Sequence, residues 1–101
     1  MTKFSNELSD AELERLAILS EEMGEALQVV GKILRHGYES ANPLLEEFIS
    51  NTTLLEKELG HVKYAMEAMI LRGDVSESEV ANECDKKAES IQRWLHHQGK
   101  S

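Results

Sequence analysis

The sequence predicts an all-α fold of four helices, and three observations carry that expectation. Glutamate outnumbers aspartate sixteen to three, proline occurs once and aromatic residues are few, a balance that favours helices over sheets. Apolar residues recur at spacings of three and four, the helical period. Serine or threonine followed three residues later by glutamate, the form of a helix-opening capping box, occurs at Ser9, Thr53 and Ser76.

Taken in order, Ser9-Asp10-Ala11-Glu12 opens a first helix whose apolar period continues to Leu34, so it spans about 10 to 35. Gly37 breaks it. Asn42 followed by Pro43 resembles an N-cap with proline at the first helical position, predicting a short helix at about 43 to 49. Thr53 and Glu56 then open a third helix running to Arg72, with Gly73 as its stop; "NTT" at Asn51 reads as a helix start, not a glycosylation site. Ser76 and Glu79 begin a last helix ending near Gly99, with Val80, Cys84, Ile91 and Leu95 on its inner face, which makes Cys84 a buried thiol.

At 101 residues the chain reads as a single domain, residues 1–101. A core of this size is only moderately stable alone, so shared burial in a homodimer or homotetramer is expected. The net charge of −8 argues against a partner made of nucleic acid or anionic membrane. Cations, or polyanions carried with cations, suit it better. "MTKFSNELSD" lacks the apolar run of a signal peptide, and no segment reaches the roughly 18 apolar residues of a membrane span, so a cytoplasmic protein is expected.

Both long helices carry two stripes. On the first, Leu13, Leu16, Met23, Leu27, Val30 and Leu34 form an apolar face; nearly opposite, Ile18, Glu22, Glu25, Val29, Lys32 and His36 follow the 4-3 spacing of a packing seam. The third helix repeats the arrangement, with Leu55, Leu59, Val62, Met66 and Met69 on one stripe and Leu54, Glu58, His61, Ala65, Ala68 and Arg72 on the other. A polar pair interrupts each seam. Burying several carboxylates without a counter-charge costs several kcal/mol per ion, and a bound metal removes that cost.

The two interruptions share a pattern, "EMGE" at Glu22 to Glu25 and "ELGH" at Glu58 to His61. Spacing of i to i+3 sets both side chains of a pair on one helix face, so two adjacent helices could offer three carboxylates and an imidazole to one ion. Sixteen glutamates in this length give roughly two or three Glu-x-x-Glu pairs by chance, so one pair means little. The weight rests on the repeat, with a glycine one residue before the second ligand each time. Gly24 and Gly60 are expected to give clearance there, since a mid-helix glycine costs about 1 kcal/mol relative to alanine. Lys32 lies about 10 Å along the axis from Glu25, within reach of a polyanion on that metal; Arg35 and Lys57 are further cations of the same kind. His36 complements the helix dipole, and His96 and His97 read as surface or subunit-contact residues.

"EEMGE" followed by "LLEKELGH" resembles the all-α nucleoside triphosphate pyrophosphohydrolases of the MazG type, whose hallmark is Glu-Glu-x-x-Glu on one helix and Glu-x-x-Asp on a later one. The resemblance covers roughly residues 10 to 72. It implies Mg2+ held by Glu22, Glu25 and Glu58, Glu21 orienting or deprotonating the attacking water, and release of pyrophosphate and a nucleoside monophosphate. His61 departs from the pattern, standing where the family has aspartate. Magnesium prefers oxygen donors, whereas imidazole suits transition metals and is tolerated by manganese. Three outcomes follow: Mn2+ or another divalent metal, Mg2+ on three carboxylates with His61 touching phosphate, or nucleotide binding without hydrolysis. The 32 residues between Glu25 and Glu58 are also long for the family.

Two other readings use the same residues. Glu-x-x-His with glutamates on a neighbouring helix is the ligand scheme of di-iron and di-manganese carboxylate bundles, which a homodimer could complete. A non-enzymatic alternative is a nucleotide-binding or interaction module whose catalytic site has decayed.

Overall fold

A computed structural model describes residues 5–99. The first helix, α1, runs Asp10–His36 from the expected cap: Ser9 Oγ accepts from Glu12 N–H at 3.1 Å while Glu12 Oε1 accepts from Ser9 N–H at 2.8 Å. That second bond, with the Ser9 hydroxyl after it, holds the Glu12 carboxyl below its usual pKa. Gly37 ends the helix at φ 88°, a conformation that favours glycine.

The short helix expected at 43–49 is absent. Asn42 instead closes a turn, its Oδ1 accepting from Leu44 N–H at 2.9 Å and its carbonyl from Leu45 N–H at 3.2 Å. Seven residues cannot offset the cost of helix nucleation unless a packed face stabilises them, and Leu44 and Phe48 both point to solvent. Among the described residues there are therefore three α-helices and one 3-10 turn, not four helices.

The second helix, α2, is Asn51–Leu71 and starts earlier than expected because Ser50, not Thr53, is its cap. Its first N–H groups, which have no intrahelical partner, tie down the preceding connection: Asn51 N–H donates to Ser40 O and Thr52 N–H to Tyr38 O, both at 2.9 Å, and Asn51 Nδ2 donates to Gly37 O at 3.0 Å. At the far end Gly73 N–H reaches Ile70 O and Asp74 N–H reaches Met69 O, a Schellman closure with Gly73 at φ 82°.

α1 and α2 pack as an antiparallel hairpin, clasped at one end by Asn51 on Gly37 and at the other by Arg15 on Asp74, whose Nη2 and Oδ1 are 2.9 Å apart. That pair holds the Asp74 carboxyl below and the Arg15 guanidinium above their ordinary pKa values, through the side-chain hydrogen bond first. The seam consists of Leu19, Glu22, Glu25, Ala26, Val29 and Ile33 against Leu54, Glu58, Ala65, Ala68 and Met69. Among the described residues only Val29, Ala65 and Met69 are buried apolar residues.

The more apolar stripe of α1 is left outside: Leu27 is 70% and Leu34 82% exposed, and Leu13, Leu16, Met23 and Val30 are exposed with them. Leu59 lies bare on α2. On both helices these stripes are displaced from the seam in the same rotational sense, by about a quarter to a third of a turn. In an antiparallel pair that puts them on the same side, so the hairpin presents one apolar face.

The third helix, α3 (Glu77–Ser90), is capped by Ser76 as expected and passes into the 3-10 turn Ile91–Trp94, so helical structure stops short of Gly99. It packs chiefly on that turn and not on the hairpin. Val80 and Ile91 are only half-buried, and Cys84 and Leu95 are exposed, contrary to the buried thiol expected. The radius of gyration, 18.0 Å, exceeds the roughly 13 Å of a compact chain this long.

Candidate metal centre

The seam brings Glu22 and Glu25 of α1 to Glu58 and His61 of α2. Each contributes one donor atom to a set lying within 4.8 Å of one another. Ligands about 2.1 Å from one ion stand about 3 Å apart when adjacent and about 4 Å when opposite, so a small contraction suffices to close the set on a cation. His61 Nδ1 is 3.2 Å from Glu22 Oε2 and 3.7 Å from Glu58 Oε2.

Glu58 is the informative member. It is only 7% exposed, and its Oε2 is buried with no hydrogen-bond partner among the described residues. A buried carboxylate oxygen without a donor costs about 1–3 kcal/mol or more, and this one is aimed at three other potential ligands. A cation fits the gap. Its other oxygen faces Lys57 Nζ at 3.9 Å, too long for a strong bond. His61 is about half exposed, so the cluster opens to solvent on its imidazole side.

Glu21 sits beside Glu22 on the exposed side of α1, outside the set of four. Lys32 and Arg35 are exposed and line a cavity of about 460 Å3 between the end of α1 and the 37–50 connection. His36, Asn42 and Asn51 also line it, and sequence reasoning gave them no site role. The signal available was Lys32, Arg35 and His36 at i, i+3 and i+4, which share a helix face.

At Gly24 and Gly60 no neighbouring helix makes the close approach expected: both positions are exposed, and a Cβ at either meets no described atom within 4 Å apart from its chain neighbours and its own helix backbone. Gly31 does have a neighbour: a Cβ there stands 3.4 Å from Arg35 Nη1, whose guanidinium folds back over it.

No helix among the described residues is long and apolar enough to cross a membrane. No protein-family model matches the chain, and neither a curated protein nor a solved structure matches it.

Proposed function

We propose that this chain is a metal-dependent nucleoside triphosphate pyrophosphohydrolase of the MazG-like type. The observation that carries the reading is the convergence of Glu22, Glu25, Glu58 and His61 around the unpartnered Glu58 Oε2. The residues that converge are those the MazG-like motif singles out, with His61 at the aspartate position. Three carboxylates and one imidazole suit Mn2+ and accept Mg2+.

Glu22, Glu25, Glu58 and His61 would hold a divalent ion, which would supply positive charge to phosphate oxygens and Lewis acidity toward water. Glu21, exposed next to Glu22, accepts the proton of the attacking water. The water oxygen bonds to the α-phosphorus, the bond from that phosphorus to the bridging oxygen breaks, and pyrophosphate leaves. Lys57, through its contact with Glu58, and Lys32 and Arg35, farther along the groove, offset the charge of the polyphosphate.

The apolar face of the hairpin supports assembly as a homodimer or homotetramer. The stripe from Leu13 to Leu34 runs about 32 Å and closes no core among the described residues. The test of activity is incubation with nucleoside triphosphates and Mg2+ or Mn2+, scored for pyrophosphate and monophosphate. Metal-dependent pyrophosphate release that disappears in Glu25→Gln supports the proposal; orthophosphate as the first product, or equal background in both proteins, refutes it.

A further inference from the structure

His61 is the outermost member of the metal cluster. It is about half exposed, whereas Glu22 and Glu25 are half-buried and Glu58 is buried. A ligand approaching a cation held by these four residues therefore passes the imidazole.

The two nitrogens of that ring have different surroundings. Nδ1 faces the cluster, 3.2 Å from Glu22 Oε2 and 3.7 Å from Glu58 Oε2. Nε2 has no hydrogen-bond partner among the described residues. A metal-ligating histidine ordinarily donates its second N–H to a carboxylate, a carbonyl or water, which fixes the ring. Glu58, one turn before His61, meets Nδ1 instead, and no other described residue takes the role.

The tautomer follows from the ligand atom. A neutral ring that gives its Nδ1 lone pair to a cation carries its hydrogen on Nε2, so it is a ligand at one nitrogen and a donor at the other. Ionised carboxylates only accept, which makes Nε2–H the one donor in the cluster. Three carboxylates at −3 and a divalent ion at +2 leave the cluster one net negative charge, and an aspartate in place of His61 makes it two. That charge repels an incoming phosphate, and a donor at the mouth offsets the repulsion.

We propose that His61 has two roles: Nδ1 binds the divalent ion, and Nε2–H donates to an oxygen of the phosphate held beside that ion. The assignment deepens the pyrophosphohydrolase reading and rests on it for the identity of the phosphate as part of a nucleoside triphosphate. It also gives the departure from aspartate a chemical meaning, since an aspartate supplies a ligand but no donor.

A chain of 101 residues is within reach of chemical synthesis, which allows the two nitrogens to be changed one at a time. His61→Nε2-methylhistidine removes the donor and keeps the ligand. His61→4-thiazolylalanine does the same without added bulk, having nitrogen at the δ1 position and sulfur at ε2. His61→Nδ1-methylhistidine blocks the ligand. Each full-length protein is titrated calorimetrically with Mn2+ and then, Mn2+-loaded, with a nucleoside triphosphate whose α and β phosphorus atoms are joined by methylene. Inorganic pyrophosphate is titrated in parallel.

Wild type binds Mn2+ and, once loaded, the analogue. Both variants lacking the donor keep Mn2+ and its ring-nitrogen coupling in pulsed electron paramagnetic resonance, yet bind the analogue about tenfold or more weakly, through loss of one hydrogen bond to a charged group. Nδ1 methylation abolishes tight Mn2+ binding. The variants lacking the donor keep the circular dichroism of wild type, because Nε2 has no partner to lose. Analogue affinity equal to wild type in both of them overturns the assignment. A loss confined to the methyl variant also overturns it, by tracing the effect to bulk. So do Mn2+ binding that survives Nδ1 methylation, a wild type that binds no Mn2+, and a loaded wild type that binds neither anion. Binding of pyrophosphate alone, with the same dependence on Nε2–H, supports the donor and refutes the pyrophosphohydrolase reading. Pyrophosphate release from triphosphates by a wild type whose analogue affinity ignores Nε2–H does the reverse.

Discussion

His61 Nδ1 stands 3.2 Å from Glu22 Oε2, across the seam between α2 and α1. With a protonated ring this is a charge-assisted contact; with a cation present the same two atoms become ligands. The geometry favours the cation as the complete solution. The imidazole is 3.7 Å from Glu58 Oε2, too far for a hydrogen bond, and that oxygen stays without a donor.

Replacing Glu58 by Gln removes a buried carboxylate from a cluster of three. The metal-free variant melts higher than metal-free wild type, because the uncompensated oxygen and its like-charged neighbours are relieved. The metal-induced rise is lost. For wild type, a ligand at 100 times its Kd adds about 2.7 kcal/mol, or roughly 10–20 °C in a domain of this length. Differential scanning calorimetry with and without Mn2+ reads both effects; a variant less stable than metal-free wild type contradicts the explanation.

Leu27→Glu sets a charge in the middle of the bare apolar stripe. With the hairpin seam untouched, the helical content of the monomer persists while self-association is lost, which sedimentation at micromolar concentration detects. A wild type that sediments as a monomer removes the argument for assembly.

How much of this was readable in advance depended on the range of the interaction. The Ser9–Glu12 cap and the Gly73 stop are local, and both form. The helix after Asn42 fails because a side-chain turn competes with it and nothing packs on Leu44 or Phe48. The convergence of Glu22, Glu25, Glu58 and His61 was legible because helical spacing puts each pair on one face, and each seam remains recognisable despite its polar interruption. Which stripe of α1 would meet α2 was not legible, since a helix with two seams can dock by either. Cys84 illustrates the same limit: periodicity tells which residues share a face, but not whether anything covers it. The Arg15–Asp74 clasp joins residues 59 apart in sequence, with no local signal to pair them.

That clasp makes stability depend on acid. Asp74 titrates below its ordinary value in the folded chain because Arg15 donates to it, so its contribution is present above about pH 4, the unfolded carboxyl range, and is lost as pH falls through the folded value. Asp74→Asn therefore lowers the melting temperature at neutral pH, and the gap from wild type narrows below about pH 4. A gap independent of pH assigns the loss to packing instead. Glu12 is lowered by its bonds to Ser9 and loses its share in the same acid range.

Gly24→Ala and Gly60→Ala add a methyl group that meets no described atom within 4 Å apart from its chain neighbours and its own helix backbone. Each raises helix stability by up to about 1 kcal/mol, seen as a higher thermal midpoint at unchanged oligomeric state. A lower midpoint together with loss of assembly shows that a second copy approaches these positions closely.

The claim on which the rest depends is that Glu22, Glu25, Glu58 and His61 together hold one divalent cation. Pulsed electron paramagnetic resonance of bound Mn2+, in wild type and in His61→Asp, tests it most directly. The account predicts tight binding in both proteins, with histidine nitrogen coupled to the ion in wild type and no such coupling in the variant. No tight Mn2+ binding by wild type, or nitrogen coupling that survives the substitution, contradicts it.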